Sequence, residues 1–137
     1  MKNRSLSAYH HLPILDGMEL LSAKAHTLDF PFHRHDTLTL SLIFDTPFHT
    51  QLPDKCITAI PGTLTITNPD EVHATPCDPD FGNSFFTYYV SPDIFRKISR
   101  GKSFFFEDRI IDDAALFQEL YFLSNNIKHT SIDFETR

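Results

Sequence analysis

The sequence contains no tryptophan and very little glycine or cysteine. Its 137 residues include four glycines and two cysteines, Cys56 and Cys77. Two cysteines are too few for a disulfide scaffold and fit no metal-binding spacing, so we expect reduced thiols, with a single bridge as the open alternative. The few glycines build no phosphate-cradling loop, and no serine nucleophile elbow occurs. These absences argue against a disulfide-rich scaffold, a protein with a glycine-rich phosphate-binding loop and a serine hydrolase with a nucleophile elbow.

Long apolar runs and runs of basic residues are also missing. No stretch approaches the length of about 20 apolar residues that a membrane-spanning helix needs, and residues 1–15 lack the continuous apolar core of a signal peptide. We therefore expect a cytoplasmic protein without a membrane partner. Acidic residues outnumber basic ones by 18 to 12, which gives a formal charge of −6. This segment by itself is not expected to bind DNA, because the required basic surface is absent.

Phenylalanine is what the sequence has in abundance. Fourteen Phe and four Tyr predict an interior filled by rings and a largely aromatic pocket, if a pocket exists. The length fits a single domain. Short strand-forming runs alternate with turn clusters up to residue 90, which predicts a sandwich or barrel. The predicted strands cover residues 18–26, 37–44, 48–52, 55–59, 63–67 and 83–90.

Two helices are expected after residue 90. Ser91 and Pro92 suit an N-cap and a first helical position, so a short helix is predicted over residues 92–99. Asp112 is expected to cap a longer helix over residues 113–128. The apolar side chains of that helix recur at four, three and four residue steps, which is typical of a coiled-coil seam, and packing on the chain's own barrel or pairing with a second copy are both open. The seam consists of Leu116, Leu120, Leu123 and Ile127.

Three histidines form the candidate site. His33 and His35 alternate on an extended segment, which places both imidazoles on one face, and a later strand that ends at His73 can bring a third imidazole beside them. Three imidazoles with an open position are a common arrangement for a divalent metal. The alternatives are structural hydrogen bonding between strands and direct contact with a small molecule.

Strand alternation predicts the two faces of the strand that follows His35. Without a bulge, Thr39 and Ser41 share a face with the histidines and form a mostly polar lumen, while Leu40 and Leu42 pack beneath the helices. A bulge before this strand would exchange the two faces. The strand over residues 83–90 carries rings on both of its faces, so an aromatic wall is expected in either case.

The order of these elements resembles the N-terminal domain of AraC-type bacterial transcription regulators, which belongs to the cupin superfamily. The resemblance covers roughly residues 15–130. It implies a mainly β chain, in which a cupin-like β-barrel or jelly roll is followed by one short and one long α-helix. The motifs that carry it are His33-x-His35, Pro61-Gly62 with six residues before Pro69, Glu71-x-His73, Ser91-Pro92-Asp93-Ile94-Phe95 and the long amphipathic helix.

The resemblance also implies a division of the chain. Residues 1–15 are expected to form an irregular N-terminal arm, and residues 16–90 the barrel. Residues 91–130 are expected to form a helical segment for dimerisation or packing. Residues 131–137 are expected to begin a linker to a DNA-binding domain with two helix-turn-helix units that lies outside this chain.

The function that the resemblance implies is effector sensing and dimerisation. In that family the barrel binds a small effector, the arm responds to it and the terminal helix forms a homodimer. We therefore expect no enzymatic activity, no cofactor, and DNA contact only through the separate domain. The seam of the long helix is the expected dimer interface. The expected ligand-binding residues are Tyr9, His10, His33, His35, Thr39 and Tyr88.

Two positions depart from the pattern of related proteins. Asp70 stands where glycine is common, which affects the turn before His73. Metal-binding cupins place a glutamate after the histidine pair with three or four residues between, and the corresponding positions of this chain are Thr39 and Leu40. The leading expectation is therefore a metal-free barrel. One alternative is a small metal-dependent cupin enzyme, a dioxygenase or isomerase, with the three histidines as ligands. Another is an interaction module whose barrel is too filled by phenylalanine to admit a ligand.

Overall fold

The computed structural model describes residues 6–12, 18–102, 104–130 and 135–136. Two antiparallel sheets dominate these residues, and two helices follow most of the strands. The strands are β1 (Leu6–Leu12), β2 (Met18–His26), β3 (Phe30–His33), β4 (Leu38–Phe44), β5 (Phe48–Gln51), β6 (Cys56–Ala59), β7 (Leu64–Thr67), β8 (His73–Thr75), β9 (Asn83–Val90), β10 (Ile110–Ile111) and β11 (Glu135–Thr136), and the helices are α1 (Pro92–Ile98) and α2 (Ala114–Thr130).

The two sheets have different sizes and different positions relative to the helices. The larger sheet has the order β10-β7-β4-β9-β2-β1-β11, and the smaller has the order β3-β8-β5-β6. An apolar cluster lies between the larger sheet and α2, and a second cluster joins β2, β4 and β9 to β5 and β6 of the smaller sheet. The expected architecture, mainly β with one short and one long helix towards the C-terminal end, is confirmed.

The N-terminal segment is more regular than the sequence suggested. Every residue of β1 pairs with a residue of β2, and Ala8 and Tyr9 also pair with β11. The expectation that residues 1–15 form an irregular arm is therefore wrong for residues 6–12. The physical reason is the edge of β2, whose unpaired backbone groups are satisfied by an added strand, and the local sequence does not indicate this long-range pairing. The other residues expected to belong to the arm, 1–5 and 13–15, lie outside the described residues.

The helix ends show which capping predictions hold. The Ser91 hydroxyl accepts a hydrogen bond from the Ile94 amide at the start of α1, as predicted. At the start of α2, the Asp113 carboxylate accepts from the Leu116 amide at 3.0 Å. Asp113 is therefore the N-cap, and the prediction of Asp112 is wrong by one residue. Two consecutive aspartates satisfy the sequence rule equally well, so only the observed backbone distinguishes them.

Strand β4 separates the two sides of the larger sheet in the predicted way. Leu40 and Leu42 belong to the cluster beneath α2. Thr39 and Ser41 face the space between the sheets. No bulge exchanges the faces of this strand, whose partners in β7 and β9 are in continuous register. The polar lumen expected from strand alternation is therefore confirmed.

Helix α2 packs on the larger sheet of its own chain. Leu116, Leu120 and Ile127 of the predicted seam are partly buried against the cluster beneath the helix. The fourth seam residue, Leu123, is 49% exposed, and the neighbouring Phe122 is 64% exposed. The seam residues therefore divide between packing within the chain and exposure, and a dimer contact through α2 stays a proposal.

Gly82 lies directly before β9, in close contact with the backbone of Ala25. Its φ angle is +70°, and a Cβ atom built there would lie 2.5 Å from the carbonyl carbon of Ala25. Gly82→Ala is expected to lower the free energy of unfolding by about 2–4 kcal/mol, since it combines left-handed strain with a backbone clash. Gly62→Ala is the matched control, because Gly62 has φ +88° and open space around it. Its expected loss is about 1–2 kcal/mol. Urea denaturation measures both, and equal losses would contradict the clash.

Candidate functional site

A cavity of about 240 Å³ lies between the two sheets. Hydroxyl groups, aromatic rings and imidazoles form its walls, and no carboxylate, ammonium or guanidinium group of the described residues is among them. The expectation of a largely aromatic pocket is therefore only half right, since polar groups outnumber rings. The lining consists of the imidazoles of His33, His35 and His73, the hydroxyl residues Thr39, Ser41, Thr50, Thr65, Thr67, Thr75 and Thr87, the rings of Tyr9, Phe30, Phe48, Phe85 and Tyr89, and Leu21.

The hydroxyl groups meet because three neighbouring strands place threonine or serine at paired positions. Thr39 lies opposite Thr67, and Ser41 lies opposite both Thr65 and Thr87. Paired residues of antiparallel strands point to the same face, so these side chains form a continuous polar floor. The Ser41 and Thr87 hydroxyls are hydrogen-bonded at 2.6 Å. The floor can donate to and accept from a polar ligand, because each hydroxyl offers one donor and two acceptor positions.

The three histidines are brought together by strands β3 and β8 of the smaller sheet. His33 lies directly opposite His73 in the strand pairing, and His35 follows two residues after β3. The ring centroids of His33 and His73 are 4.5 Å apart, and the ring of His35 lies 5.0 Å from that of His73. One nitrogen from each ring lies within 4.8 Å of the other two. The predicted convergence of the three imidazoles is therefore present in the structure.

Each imidazole is oriented by a backbone carbonyl two residues away. The Nδ1 atoms of His33, His35 and His73 lie 2.6, 3.1 and 2.8 Å from the carbonyl oxygens of Pro31, Thr37 and Glu71, respectively. A ring that donates its Nδ1–H to a carbonyl keeps the lone pair on Nε2. The three rings therefore present acceptor or ligand nitrogens of one kind, in a fixed orientation.

Burial shifts the pKa values of three groups around the cavity, His35, His73 and Tyr89. Desolvation lowers the pKa of His35 and of His73, and the mutual repulsion of the imidazolium forms adds to this effect, although the carbonyl hydrogen bonds oppose it. Burial, reinforced by the neighbouring Tyr9 hydroxyl, raises the pKa of Tyr89 far above its ordinary value. The shifts favour the neutral forms of the His35 and His73 imidazoles and of the Tyr89 phenol.

The lowered histidine pKa values predict how stability depends on pH. Burial lowers the pKa of His26, His35 and His73 below 6.5 in the folded chain. Because the unfolded chain takes up these protons first as the pH falls, stability rises with pH between the lowered pKa values and about 6.5. We expect the urea concentration at the midpoint of unfolding to decrease as the pH is lowered from about 7.5 to about 5.5. A midpoint that is constant or rises on acidification would contradict this expectation.

Four of the predicted ligand-binding residues line the cavity. Tyr9, His33, His35 and Thr39 are among its wall residues, and so is His73, for which metal binding, structural hydrogen bonding and contact with a small molecule were all open. Because they line the cavity, these side chains lie within reach of a molecule bound there. Their role in binding remains a proposal.

The prediction is wrong for two ligand-binding residues, Tyr88 and His10, which do not line the cavity. Tyr88 is 3% exposed in the cluster beneath α2, and its hydroxyl is hydrogen-bonded to Ser124 at 2.6 Å. It lies opposite Leu40, which faces the helix. His10 is fully buried and pairs with Leu20 of the same cluster. Both side chains point away from the cavity because they alternate with the residues that face it.

Several cavity residues were not singled out from the sequence. Tyr89 takes the place expected for Tyr88, and the alternation of β9 offered both choices. Register with β4 decides between them, because Tyr88 must share a face with Leu40. The threonines of β7 and β8 carried no comparable signal, since those strands are only four and three residues long.

The chemistry of the site suits a divalent metal in one respect and not in another. Three imidazoles whose Nδ1–H groups are held by carbonyl oxygens are good ligands, and one nitrogen from each ring lies within 4.8 Å of the other two. The described residues contribute no carboxylate to this group. A bound divalent ion would therefore keep its full charge and attract an anion. The same three nitrogens can instead accept hydrogen bonds from an organic ligand.

Comparison with known protein families accounts for this arrangement. The family described as the AraC-like ligand binding domain matches residues 17–130. The chain belongs to the AraC-like ligand binding domain family. The match contains all strands from β2 to β10 and both helices of this AraC-like domain. A search of curated proteins found no significant match.

Solved structures place the AraC-like domain in the cupin fold. An oxalate decarboxylase from Bacillus subtilis, solved at pH 4.6, has a TM-score of 0.53 and 10% identity over 81% of this chain and 28% of that chain. Another structure of that Bacillus subtilis enzyme, described with Mn(II) centres, has a TM-score of 0.53 and 10% identity over 66% and 26% of the two chains. The AraC-like domain thus spans little more than a quarter of these proteins. The likeness confirms the expected cupin-like fold.

Proposed function

We propose that this chain is the effector-sensing and dimerisation domain of an AraC-type transcription regulator. The observation that carries the proposal is the cavity between the two sheets, in a chain that belongs to the AraC-like ligand binding domain family. A pocket lined by hydroxyls, imidazoles and rings can bind a small molecule through hydrogen bonds and apolar contacts, with no chemical reaction. The proposal assigns binding roles to Tyr9, His33, His35 and Thr39, and no catalytic role to any residue.

The lining defines the chemical class of the proposed effector. Seven hydroxyl residues and three imidazoles offer hydrogen bonds, while the rings offer an apolar wall. No formally charged side chain of the described residues faces the cavity, so a strongly charged ligand would lose its hydration without a counter-charge. The volume of about 240 Å³ is small for a ligand pocket. We therefore propose a small, uncharged effector that has several hydrogen-bonding groups and an apolar face.

The output of the proposed sensor is a change in its helical segment. An effector transmits a signal only if it binds one arrangement of the chain better than another. The proposed partners are a second copy of this chain, which contacts it through α2, and DNA, which is bound by a separate domain of the regulator in the cytoplasm. None of the described helices is both long enough and apolar enough to cross a membrane.

Effector-dependent transcription tests this function. Thr39→Val in the full-length regulator removes a cavity hydroxyl and keeps a side chain of similar shape. We expect the effector concentration for half-maximal response to rise by about tenfold, because a hydrogen bond to the effector is lost. Thr58→Val is the control, since Thr58 is exposed on β6. An unchanged response of the Thr39 variant would contradict the proposed site.

The proposed dimer contact predicts a change of oligomeric state. Leu123→Glu places a charge on the exposed face of α2, where Leu123 and Phe122 lie. We expect this variant to sediment as a folded monomer at concentrations at which the unmodified chain sediments as a dimer, because a charge is buried at the contact. Leu28→Glu is the control, since Leu28 is 72% exposed between β2 and β3. Equal sedimentation of both variants and the unmodified chain would contradict a contact through Leu123.

A second candidate function is a metal-dependent cupin enzyme. The observation that favours it is the group of three imidazoles, His33, His35 and His73, whose nitrogens lie within 4.8 Å of one another. A bound divalent ion would act there as a Lewis acid and keep positions open for a substrate. The test is the metal content of the purified chain, followed by activity assays after addition of iron, manganese or zinc. A chain that binds none of these metals would end this alternative.

A further inference from the structure

We propose that the turn over residues 68–73 transmits occupancy of the histidine site to the segment that leads into α2, with Glu71 and Arg109 as positioning residues. This inference rests on the proposed function, since it states how the same site would signal. The turn contacts the site on one side and residues 104–111 on the other. Each contact is a hydrogen bond or a buried ion pair.

The first side of the turn is bonded to two of the three histidines. The Asp70 amide donates to the carbonyl oxygen of His35 at 2.7 Å. His73 Nδ1 donates to the carbonyl oxygen of Glu71 at 2.8 Å. Asp70 has a φ angle of +59°, so the turn holds a left-handed residue at the position where the two bonds meet. A ligand that shifts His35 or His73 therefore also shifts the backbone of the turn.

The second side of the turn is bonded to the segment before α2. Asn68 is 1% exposed and binds the backbone of Phe106 twice: its Nδ2 donates to the carbonyl oxygen at 3.1 Å, and its Oδ1 accepts from the amide at 2.8 Å. Arg109 Nη1 donates to Glu71 Oε1 at 2.5 Å. The carbonyl oxygen of Arg109 accepts from the Ile66 amide at 2.8 Å. β10 and α2 begin one and five residues after Arg109.

The ion pair is better explained by positioning than by stability. The side chains of Arg109 and Glu71 are 7% and 13% exposed, and a buried pair gains little net stability over well-packed apolar residues. Arg109 Nε is buried and has no hydrogen-bond partner among the described residues. The guanidinium also stacks 5.0 Å from the Phe105 ring centre. The Glu71–Arg109 pair thus holds the turn and residues 104–111 in one arrangement, since separating the two side chains would leave a buried charge unpaired.

The coupling can be measured in the full 137-residue chain without any effector. His73→Ala removes the side chain that joins the site to the turn, and amide hydrogen exchange reads the effect at the far side. We expect the Phe106 amide to exchange at least about tenfold faster, while the core amide of Leu42 changes much less. His49→Ala is the control, because His49 binds Thr58 outside the site. Equal acceleration at Phe106 and Leu42, or none at Phe106, would overturn the relay.

Coupling in the reverse direction, from the Glu71–Arg109 pair to the histidine site, is measured at His73. Glu71→Gln keeps the shape of the side chain and removes the charge that holds Arg109. We expect the ring nitrogen shifts of His73 to change, whereas Arg96→Met, which breaks the exposed pair with Asp93, leaves them unchanged. Unchanged His73 shifts in the Glu71 variant would overturn the relay. If Glu71→Gln fails to fold, the double variant Glu71→Leu with Arg109→Met replaces the pair by apolar side chains and is subject to the same test.

These readouts separate the relay from the proposed function. Coupling without binding of any effector would refute effector sensing and leave the relay standing. Effector binding without coupling would refute the relay and leave effector sensing standing.

Discussion

Replacing Thr39 by phenylalanine is expected to abolish effector binding while the chain stays folded. Thr39 lies on the cavity side of β4, opposite Thr67 and Tyr89. A ring at this position projects into a space of about 240 Å³ and takes room that the effector needs. We expect the affinity to fall at least about 100-fold, which corresponds to about 2.8 kcal/mol. Calorimetric titration with the effector measures the loss.

The control for this variant carries the same substitution on the outside of the fold. Thr58 is exposed on β6, and Thr58→Phe adds the same ring without entering the cavity. Thr58→Phe should bind the effector as the unmodified chain does. Undiminished binding by Thr39→Phe would show that the effector binds somewhere other than the cavity.

Under the enzyme alternative, removing one imidazole lowers the affinity for a divalent metal at least about 100-fold, since the loss of an outer-shell partner alone often lowers metal affinity 10–100-fold. His73→Ala removes the ligand at the centre of the cluster, where its ring lies 4.5 and 5.0 Å from the two other rings. His49→Ala removes an imidazole that is bonded to Thr58 instead. Titration with Co²⁺, followed by its visible absorption, measures the affinity.

The outcome of the metal titration separates the two candidate functions. Binding that depends on His73 and not on His49 would establish a metal site in the cavity and favour the enzyme alternative. Equal affinity in the two variants would mean that the three imidazoles do not act together on a metal. They would then be available as hydrogen-bond acceptors for the organic effector.

Local features of the sequence predicted much of this fold. Ser91 and Pro92 began a helix as expected, because capping depends on neighbouring residues only. The faces of β4 followed from strict alternation of polar and apolar side chains. The three histidines met because His33 lies opposite His73 and His35 follows two residues later. The strand at His73 was predicted to end there, whereas β8 begins at that residue.

Features that depend on long-range pairing could not be predicted in the same way. Tyr88 and Tyr89 alternate on β9, and only the pairing of Tyr88 with Leu40 decides which of them enters the cavity. β1 forms along the available edge of β2, a pairing that its own seven residues do not indicate. Sequence reasoning detects the period of a strand, whereas register is set by a partner far away in the chain.

The seam of α2 illustrates a third kind of limit. Spacing alone identifies an apolar face, and the same face can pack on its own sheet or on a second copy. Leu116, Leu120 and Ile127 pack partly on the chain's own core, while Leu123 faces outwards. The position of the sheet beneath α2 decides which seam residues are buried, and the sequence of the helix alone does not reveal that position.

The central claim is that the cavity between the sheets binds a small effector. The most direct measurement is the thermal midpoint of the unmodified chain and of Thr39→Phe against one panel of small, uncharged metabolites. A ligand at 100 times its Kd stabilises the folded state by about 2.7 kcal/mol, which raises the midpoint by several degrees. We expect at least one compound to raise the midpoint of the unmodified chain and not that of Thr39→Phe. Compounds that stabilise both chains equally would contradict it.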